Sequence, residues 1–343
     1  MLLAVTPGDP DGIGPEVVAK TLLLQRKLFP RDLNILGIGA AGPFRKLGVP
    51  LVELSDFNSL SHLPRTRPGE LLFISAPEGP QRPNGGGPKK SFSLQGFQSG
   101  WAIERATRLA LSGKVDAIVT GPISKSRLQA GGYFFPGHTE MLASLCRKKK
   151  VTMMLANEHL RVALVTTHVS LNRLSKEIRS SEISRAIEHT IRALREWWGI
   201  GRPRLAVCAL NPHAGEGGAF GNEEIRVISP TLRRLQKRYA GAATIDGPLP
   251  ADTLFAKNAL SSQKDRYDAI ISMYHDQGLI PVKLLDFAGT VNVTLGLPIV
   301  RTSVDHGVAF DIAGTGKADP TSFQSALRLA YRISAIRHQE AKK

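Results

Sequence analysis

"YDAIISMYHDQGLIPVK", residues 267–283, joins a core-strand pattern to a cluster of polar side chains. Its first half holds a continuous apolar run, Ala269 to Ile271, of the kind that forms a strand buried on both faces. The run ends in His275, Asp276 and Gln277, and a second short apolar stretch climbs to Lys283. Such residues at the tip of a core strand need a purpose. The same arrangement occurs twice more, since "RVALVTTH" (161–168) ends in His168 and "RLAVCALNPH" (204–213) ends in His213. In open α/β folds ligands bind just outside the carboxyl ends of the strands. Any one of these histidines alone reads better as an ordinary polar residue closing a strand. Three in repeated context, one followed by "AGEGG" and one by "DQG", favour a site where neutral imidazoles hold a divalent ion such as zinc.

Further strand-like runs lie at 2–6, 33–38, 116–120, 151–155 and 290–294, and amphipathic helical stretches at 14–27, 100–113, 180–198, 222–238 and 321–340. The alternation gives an α/β class with a largely parallel sheet. With 343 residues, 42% hydrophobic and 22% charged, the chain is an ordinary globular one with a large core. At roughly 150 residues per domain it should form about two domains. The Pro/Gly-rich stretch 76–91 reads as an exposed loop or linker. The apolar start "MLLAV" is too short for a signal peptide and no long apolar run could span a bilayer, so a cytoplasmic location and no membrane partner are expected. Cys146 and Cys208 sit in apolar surroundings and read as packing residues.

The net charge of +16 admits nucleic-acid binding. Its Lys and Arg are spread along the chain, however, and "RKKK" (147–150) has no interleaved aromatics, so a solvated face or attraction of an anionic substrate explains it as well and no nucleic-acid partner is expected. "GIGAAG", with Gly37, Gly39 and Gly42, fits the G-x-G-x-x-G of a Rossmann site. The helix after it would meet a proline and a second strand within about two turns, which is too short, and the match is set aside.

"TPGDPDGIGPE" (6–16), "TGPISK" (120–125), "GHTE" (137–140), "NPHAGEGG" (211–218), "GPLPADTLF" (247–255), "MYHDQG" (273–278), "RTSVDHG" (301–307) and "AGTGKAD" (313–319) are long, ordered and specific. With them the chain resembles, over nearly its whole length, the 4-hydroxythreonine-4-phosphate dehydrogenase family of vitamin B6 (pyridoxal 5'-phosphate) biosynthesis. The resemblance implies an isocitrate/isopropylmalate dehydrogenase-like fold, two α/β domains with a cleft between them. We expect a first, discontinuous domain of 1–130 plus 285–343 and a second of 131–284 that carries most dimer contacts. It further implies that His168, His213 and His275 bind one divalent metal (Zn, Mg or Co) in a homodimer whose active site lies at the interface. Substrate contacts are implied for His138, Thr139, Lys283, Asn292 and Arg301. Lys283 and Arg301 offer positive charge to a phosphate or carboxylate, and Asn292 an orienting amide. "DHGVAFDIAGTGKADP" (305–320) resembles a dinucleotide loop, which places NAD or NADP contacts at His306, Gly307, Asp311 and Gly314.

The implied reaction oxidises 4-phosphooxy-L-threonine by hydride transfer to NAD or NADP, with loss of carbon dioxide, to 3-amino-2-oxopropyl phosphate. Relatives acting on D-threonate or D-erythronate 4-phosphate share the motifs, and the residues assign no general base. Asp9 and Asp11 depart from the Glu and small residue common in the family, and Pro136 stands where Thr or Ser is frequent.

Overall fold

The computed structural model describes residues 1–54, 63–64, 66–78 and 93–341; of the Pro/Gly-rich stretch 76–91, everything from residue 79 on lies outside them. In chain order the strands among these residues are β1 (Leu2–Thr6), β2 (Asn34–Gly39), β3 (Leu51–Glu53), β4 (Leu71–Ser75), β5 (Ala117–Thr120), β6 (Thr152–Ala156), β7 (Arg161–Leu164), β8 (Arg204–Cys208), β9 (Thr244–Leu249), β10 (Ala269–Ser272), β11 (Val291–Leu295) and β12 (Arg301–Ser303). The α-helices are α1 (Gly14–Leu28), α2 (Gly42–Lys46), α3 (Leu94–Leu111), α4 (Lys125–Ala130), α5 (His138–Leu145), α6 (Leu171–Glu177), α7 (Ser180–Trp198), α8 (Ser229–Arg238), α9 (Ala251–Leu260), α10 (His275–Leu285) and α11 (Thr321–Glu340).

The chain divides into two compact units, Met1–Lys150 with Leu297–Ala335, and Val151–Gly296 with Ile336–Lys343. The expected boundaries stood at 130 and 285, earlier in the chain than these. In the first unit the strand order is β3-β4-β2-β1-β5-β12, all parallel. In the second it is β11-β6-β7-β10-β8-β9. There β7, β10, β8 and β9 run parallel, while β6 is antiparallel to both β7 and β11.

The strands read from apolar runs are buried as those runs demand: β1, β5 and β10 along their whole length and β7 and β8 beyond their first residue. Helix α7 shows why 180–198 is helical. Ile183, Ala186, Ile187, Thr190, Ile191, Leu194 and Trp197 recur every three or four residues on its buried side, and Gly199 ends it at φ 66. Both cysteines are free and buried, Cys146 in the first unit and Cys208 within β8 in the second. Burial pushes their thiols up to about 11 and about 12.

Helix α2 has only five residues, too short for a Rossmann unit, and a Cβ on Gly37 would come within 2.5 Å of the Phe73 ring, so this glycine is there for packing on β4. The segment after His275 is helix α10, with His275 as its first residue. Gly278 and Pro281 look like helix breakers in sequence. Gly278 instead lets the helix lie directly on β7, where a Cβ would fall 2.7 Å from Val162 Cγ1 and 2.9 Å from Leu164 Cδ2. Leu279 and Val282 then enter the core formed by Leu155, Val162, Leu164 and Ile270, a burial of roughly 1.5–3 kcal/mol for each side chain. Gly278→Ala therefore overpacks this contact and should lower stability by about 1–3 kcal/mol, seen as a lower denaturant midpoint with unchanged slope.

Candidate active site

The three histidines all belong to the second unit, and the strands that deliver them are neighbours. The local order is β7-β10-β8, each pair parallel, so all three carboxyl ends open on one edge. Adjacent strands lie about 4.8 Å apart, which puts the three chain ends within about 10 Å. The His168 and His275 rings are neighbours, with centroids 5.5 Å apart and planes inclined at 41°. His275 Nδ1 is 2.7 Å from Asp276 Oδ1. A carboxylate only accepts, so in neutral His275 the Nδ1 carries the proton and Nε2 keeps its lone pair.

His213 is reached by an unusual backbone. His213, Ala214, Gly215, Glu216 and Gly217 follow one another with φ between 42 and 80, a left-handed turn beyond β8. Three of the five carry a Cβ, and each such residue costs about 1–3 kcal/mol. Strain of this kind persists only where the surroundings impose it. The His213 ring packs 6.2 Å from Phe220, between centroids, and lines a cavity of about 690 Å³ with Asn211, Asp252, Tyr274, Asp276 and Gln277. Among the described residues no three His, Cys, Asp or Glu side chains gather closely enough to hold a metal ion. Three imidazoles suit a divalent ion in kind; here the His168 and His275 rings are neighbours, and His213 is turned against Phe220. Lys283, in the last turn of α10, is half-buried with Nζ 5.5 Å from the centre of the Phe287 ring. Asn292, on β11, has a buried Oδ1 with no hydrogen-bond partner among the described residues.

The first unit holds the remaining residues. Arg301 opens β12 at 3% exposure, and its Nη2 and Nε donate to Thr120 Oγ1 on β5 at 2.8 and 3.2 Å. Burial pushes the guanidinium down to about 10, against the pull of Glu140, and it remains a cation at neutral pH. His138 begins α5, with Thr139 beside it. Burial, helped by the charge of Arg301, holds its imidazole well below the ordinary histidine value, so it is neutral. The His138 Nε2 is buried without a partner among the described residues. A buried cation beside a neutral imidazole with a spare nitrogen suits an anionic, hydrogen-bonding ligand.

Beyond β12, His306 Nε2 is also buried without a partner among the described residues, while Nδ1 lies 3.0 Å from Gly307 O. Gly307 and Gly314 have open space where a Cβ would stand, and Asp311 is exposed. Helix α1 clasps this loop. Glu16 accepts from Gly314 N and Ala318 N, both at 3.0 Å, and pairs with Lys20 at 2.9 Å, while Lys20 Nζ donates to Gly316 O and Ala318 O. Arg127, which bridges Asp9 at 3.0 Å and Asp11 at 2.7 Å, sits over the Phe310 ring of the same loop. The loop is thus pinned from outside, with open space at Gly307 and Gly314.

Residues 87–330 match the family model for "Pyridoxal phosphate biosynthetic protein PdxA". The chain belongs to the PdxA family. A Marinobacter nauticus 4-hydroxythreonine-4-phosphate dehydrogenase is 42% identical over 98% of this chain and 96% of that protein. A Bradyrhizobium diazoefficiens protein provisionally named D-threonate 4-phosphate dehydrogenase is also 42% identical, over 97% of this chain and 96% of its own. The crystal structure of 4-hydroxythreonine-4-phosphate dehydrogenase from Klebsiella pneumoniae, 38% identical, superposes with a TM-score of 0.81 over 97% of this chain and 99% of that one. The fold is thus the α/β dehydrogenase fold of this family, and it extends to an Enterococcus faecalis branched-chain phosphotransacylase, 12% identical with a TM-score of 0.54.

Sequence reasoning missed the residues that organise the site. Asp276 is visible as the neighbour of His275, but Glu16, Lys20 and Arg127 act across 118 to 302 residues, and spacing gives no sign of their partners. The clasp has a measurable signature. Burial opposes ionisation of Glu16, yet the Lys20 bond and the Ala318 and Gly314 N–H groups outweigh it and hold its pKa below the ordinary glutamate value. A carboxylate with a lower pKa folded than unfolded adds stability that is complete above the unfolded value and is lost as pH falls through the folded one. Glu16→Gln should be less stable than wild type at neutral pH, with the gap narrowing below the ordinary glutamate value; urea melts across the acid range would show it, and a pH-independent gap would contradict it.

Proposed function

We propose that this chain is a metal-dependent 4-hydroxythreonine-4-phosphate dehydrogenase, which oxidises 4-phosphooxy-L-threonine with NAD or NADP and releases carbon dioxide to give 3-amino-2-oxopropyl phosphate. The observation that carries this reading is the convergence of the histidine-bearing ends of β7, β10 and β8 on one edge, in a chain that belongs to the PdxA family. His168, His213 and His275 would hold the divalent ion, with Asp276 fixing the His275 tautomer. Such an ion, when bound, supplies Lewis acidity toward the secondary hydroxyl. Arg301 and Lys283 supply positive charge for anionic groups, and His138 and Thr139 direct hydrogen bonds. The unpartnered Asn292 Oδ1 accepts from a donor such as the ammonium. His306, Gly307, Asp311 and Gly314 form the dinucleotide loop.

The homodimer rests on the outer face of α10 and on Phe287 just beyond it. Ile280, Leu284 and Phe287 are 65%, 85% and 76% exposed at helical spacing, an apolar stripe that a second copy would cover. No helix among the described residues is long and apolar enough to cross a membrane.

A second reading, D-threonate 4-phosphate as substrate, is favoured by the Bradyrhizobium relative, whose identity equals that of the Marinobacter enzyme. Purified protein with NAD or NADP and a divalent metal should turn over 4-phosphooxy-L-threonine in preference to D-threonate and D-erythronate 4-phosphates; the reverse order would transfer the assignment. His168→Ala, His213→Ala and His275→Ala should each lower bound metal and activity together, and normal stoichiometry in all three would remove the triad. Lys283→Met should keep the metal and weaken substrate binding by about 2–5 kcal/mol, whereas an unchanged Michaelis constant would take Lys283 out of the site.

A further inference from the structure

Glu224 is 3% exposed, the first residue of a π-type turn, Glu224–Ile228, that runs into α8. A carboxylate buried this deeply is tolerated where donors surround it. They come from the end of β8: Leu210 N donates to Oε1 at 2.7 Å, Asn211 N to Oε1 at 2.8 Å, and Asn211 Nδ2 to Oε2 at 2.9 Å. The same Asn211 amide donates to Glu223 Oε2 at 2.8 Å. Gly221 makes room for this contact. Its φ is 140, and a Cβ there would stand 2.5 Å from Asn211 Nδ2. The segment from Leu210 to Glu224 is therefore closed on itself, with the left-handed turn that bears His213 between its two bolted ends.

We propose that Glu224 is a positioning residue for His213: by fixing the last residues before the left-handed turn, it sets where that imidazole is presented on the histidine edge. The inference rests on the reading of that edge as a metal site. The left-handed backbone supplies the need, since a conformation that three residues with a Cβ resist must be imposed from outside. A carboxylate suits the task because it has acceptor capacity on both oxygens and no donor. Glutamine would keep one oxygen for the backbone N–H groups and turn an NH2 toward the Asn211 NH2.

The test is cobalt binding by metal-stripped protein, followed by calorimetry and by the visible cobalt spectrum, for wild type, His213→Ala, Glu224→Gln and Asn211→Ser. Glu224→Gln should bind Co2+ about tenfold or more weakly with an altered spectrum, while the metal-free protein stays folded with a cooperative melt. Asn211→Ser, which leaves Glu224 its two backbone donors, should show a smaller loss in the same direction. A merely structural role would lower the melting temperature and leave the cobalt affinity of the folded protein unchanged, and that result in Glu224→Gln overturns the proposal. If Glu224→Gln does not fold, unchanged affinity in Asn211→Ser overturns it. If wild type and His213→Ala bind alike, the triad falls first and this inference with it.

Discussion

One side chain joins the strands that carry the histidines. Gln277 Oε1 accepts from Met273 N, and its Nε2 donates to Ala209 O, both at 2.7 Å, so a single amide spans the ends of β10 and β8 where the ladder between them has stopped. On the other side of β10, Thr166 reaches Met273 O through Oγ1 at 2.7 Å and through its backbone N at 3.2 Å, lacing β7 to the same residue. Met273 is thus held from both flanks. Strand ends ordinarily diverge into loops whose backbone groups turn to water. Here those groups are paired within the protein, and the segments bearing His168, His213 and His275 leave from a common, rigid rim. The start of α10 depends on the same bonds, because Gln277 can reach both strands only from the helix's first turn.

The first unit solves a different problem. It keeps a guanidinium at Arg301 out of water with Thr120 as a neutral acceptor, and it keeps His138 uncharged beside it. Two like charges in so dry a place would repel strongly. One charge and one neutral ring leave little internal repulsion, and the Glu140 carboxylate acts on the cation as well. The 305–320 loop is organised from outside, by Glu16 and Lys20 on α1 and by Arg127 over Phe310, and Gly307, Gly314 and Gly316 keep open space where a Cβ would stand.

Much of this was legible in the sequence because burial on both faces writes itself as an unbroken apolar run. That signal placed β1, β5, β7, β8 and β10, and helical periodicity placed α7 and α11 on the very residues they occupy. The histidines stood out because each comes after such a run. Legibility ended where a tertiary contact overruled a local rule. Gly278 and Pro281 argue against a helix until β7 is present to receive the glycine face. β12 is three residues long and begins with an arginine, which no strand pattern favours, and its burial depends on β5. β3 is short and half exposed, and β9 contains Gly247 and Pro248, which read as a turn. The left-handed run after Pro212 had no sequence signature beyond its glycines, since His213, Ala214 and Glu216 adopt it against their own preference.

The distribution of cysteine has a practical corollary. Each compact unit contains one, Cys146 or Cys208, both shielded from solvent and both with thiols held protonated at neutral pH by their surroundings. Only the thiolate reacts with alkylating or disulfide reagents, and it must be accessible to do so. Neither sulfur can be modified until the polypeptide around it opens. The protein therefore carries one native chemical clock in each half, and the two labelling rates, separated by mass spectrometry of the peptides, would time the opening of each half independently without any engineered probe.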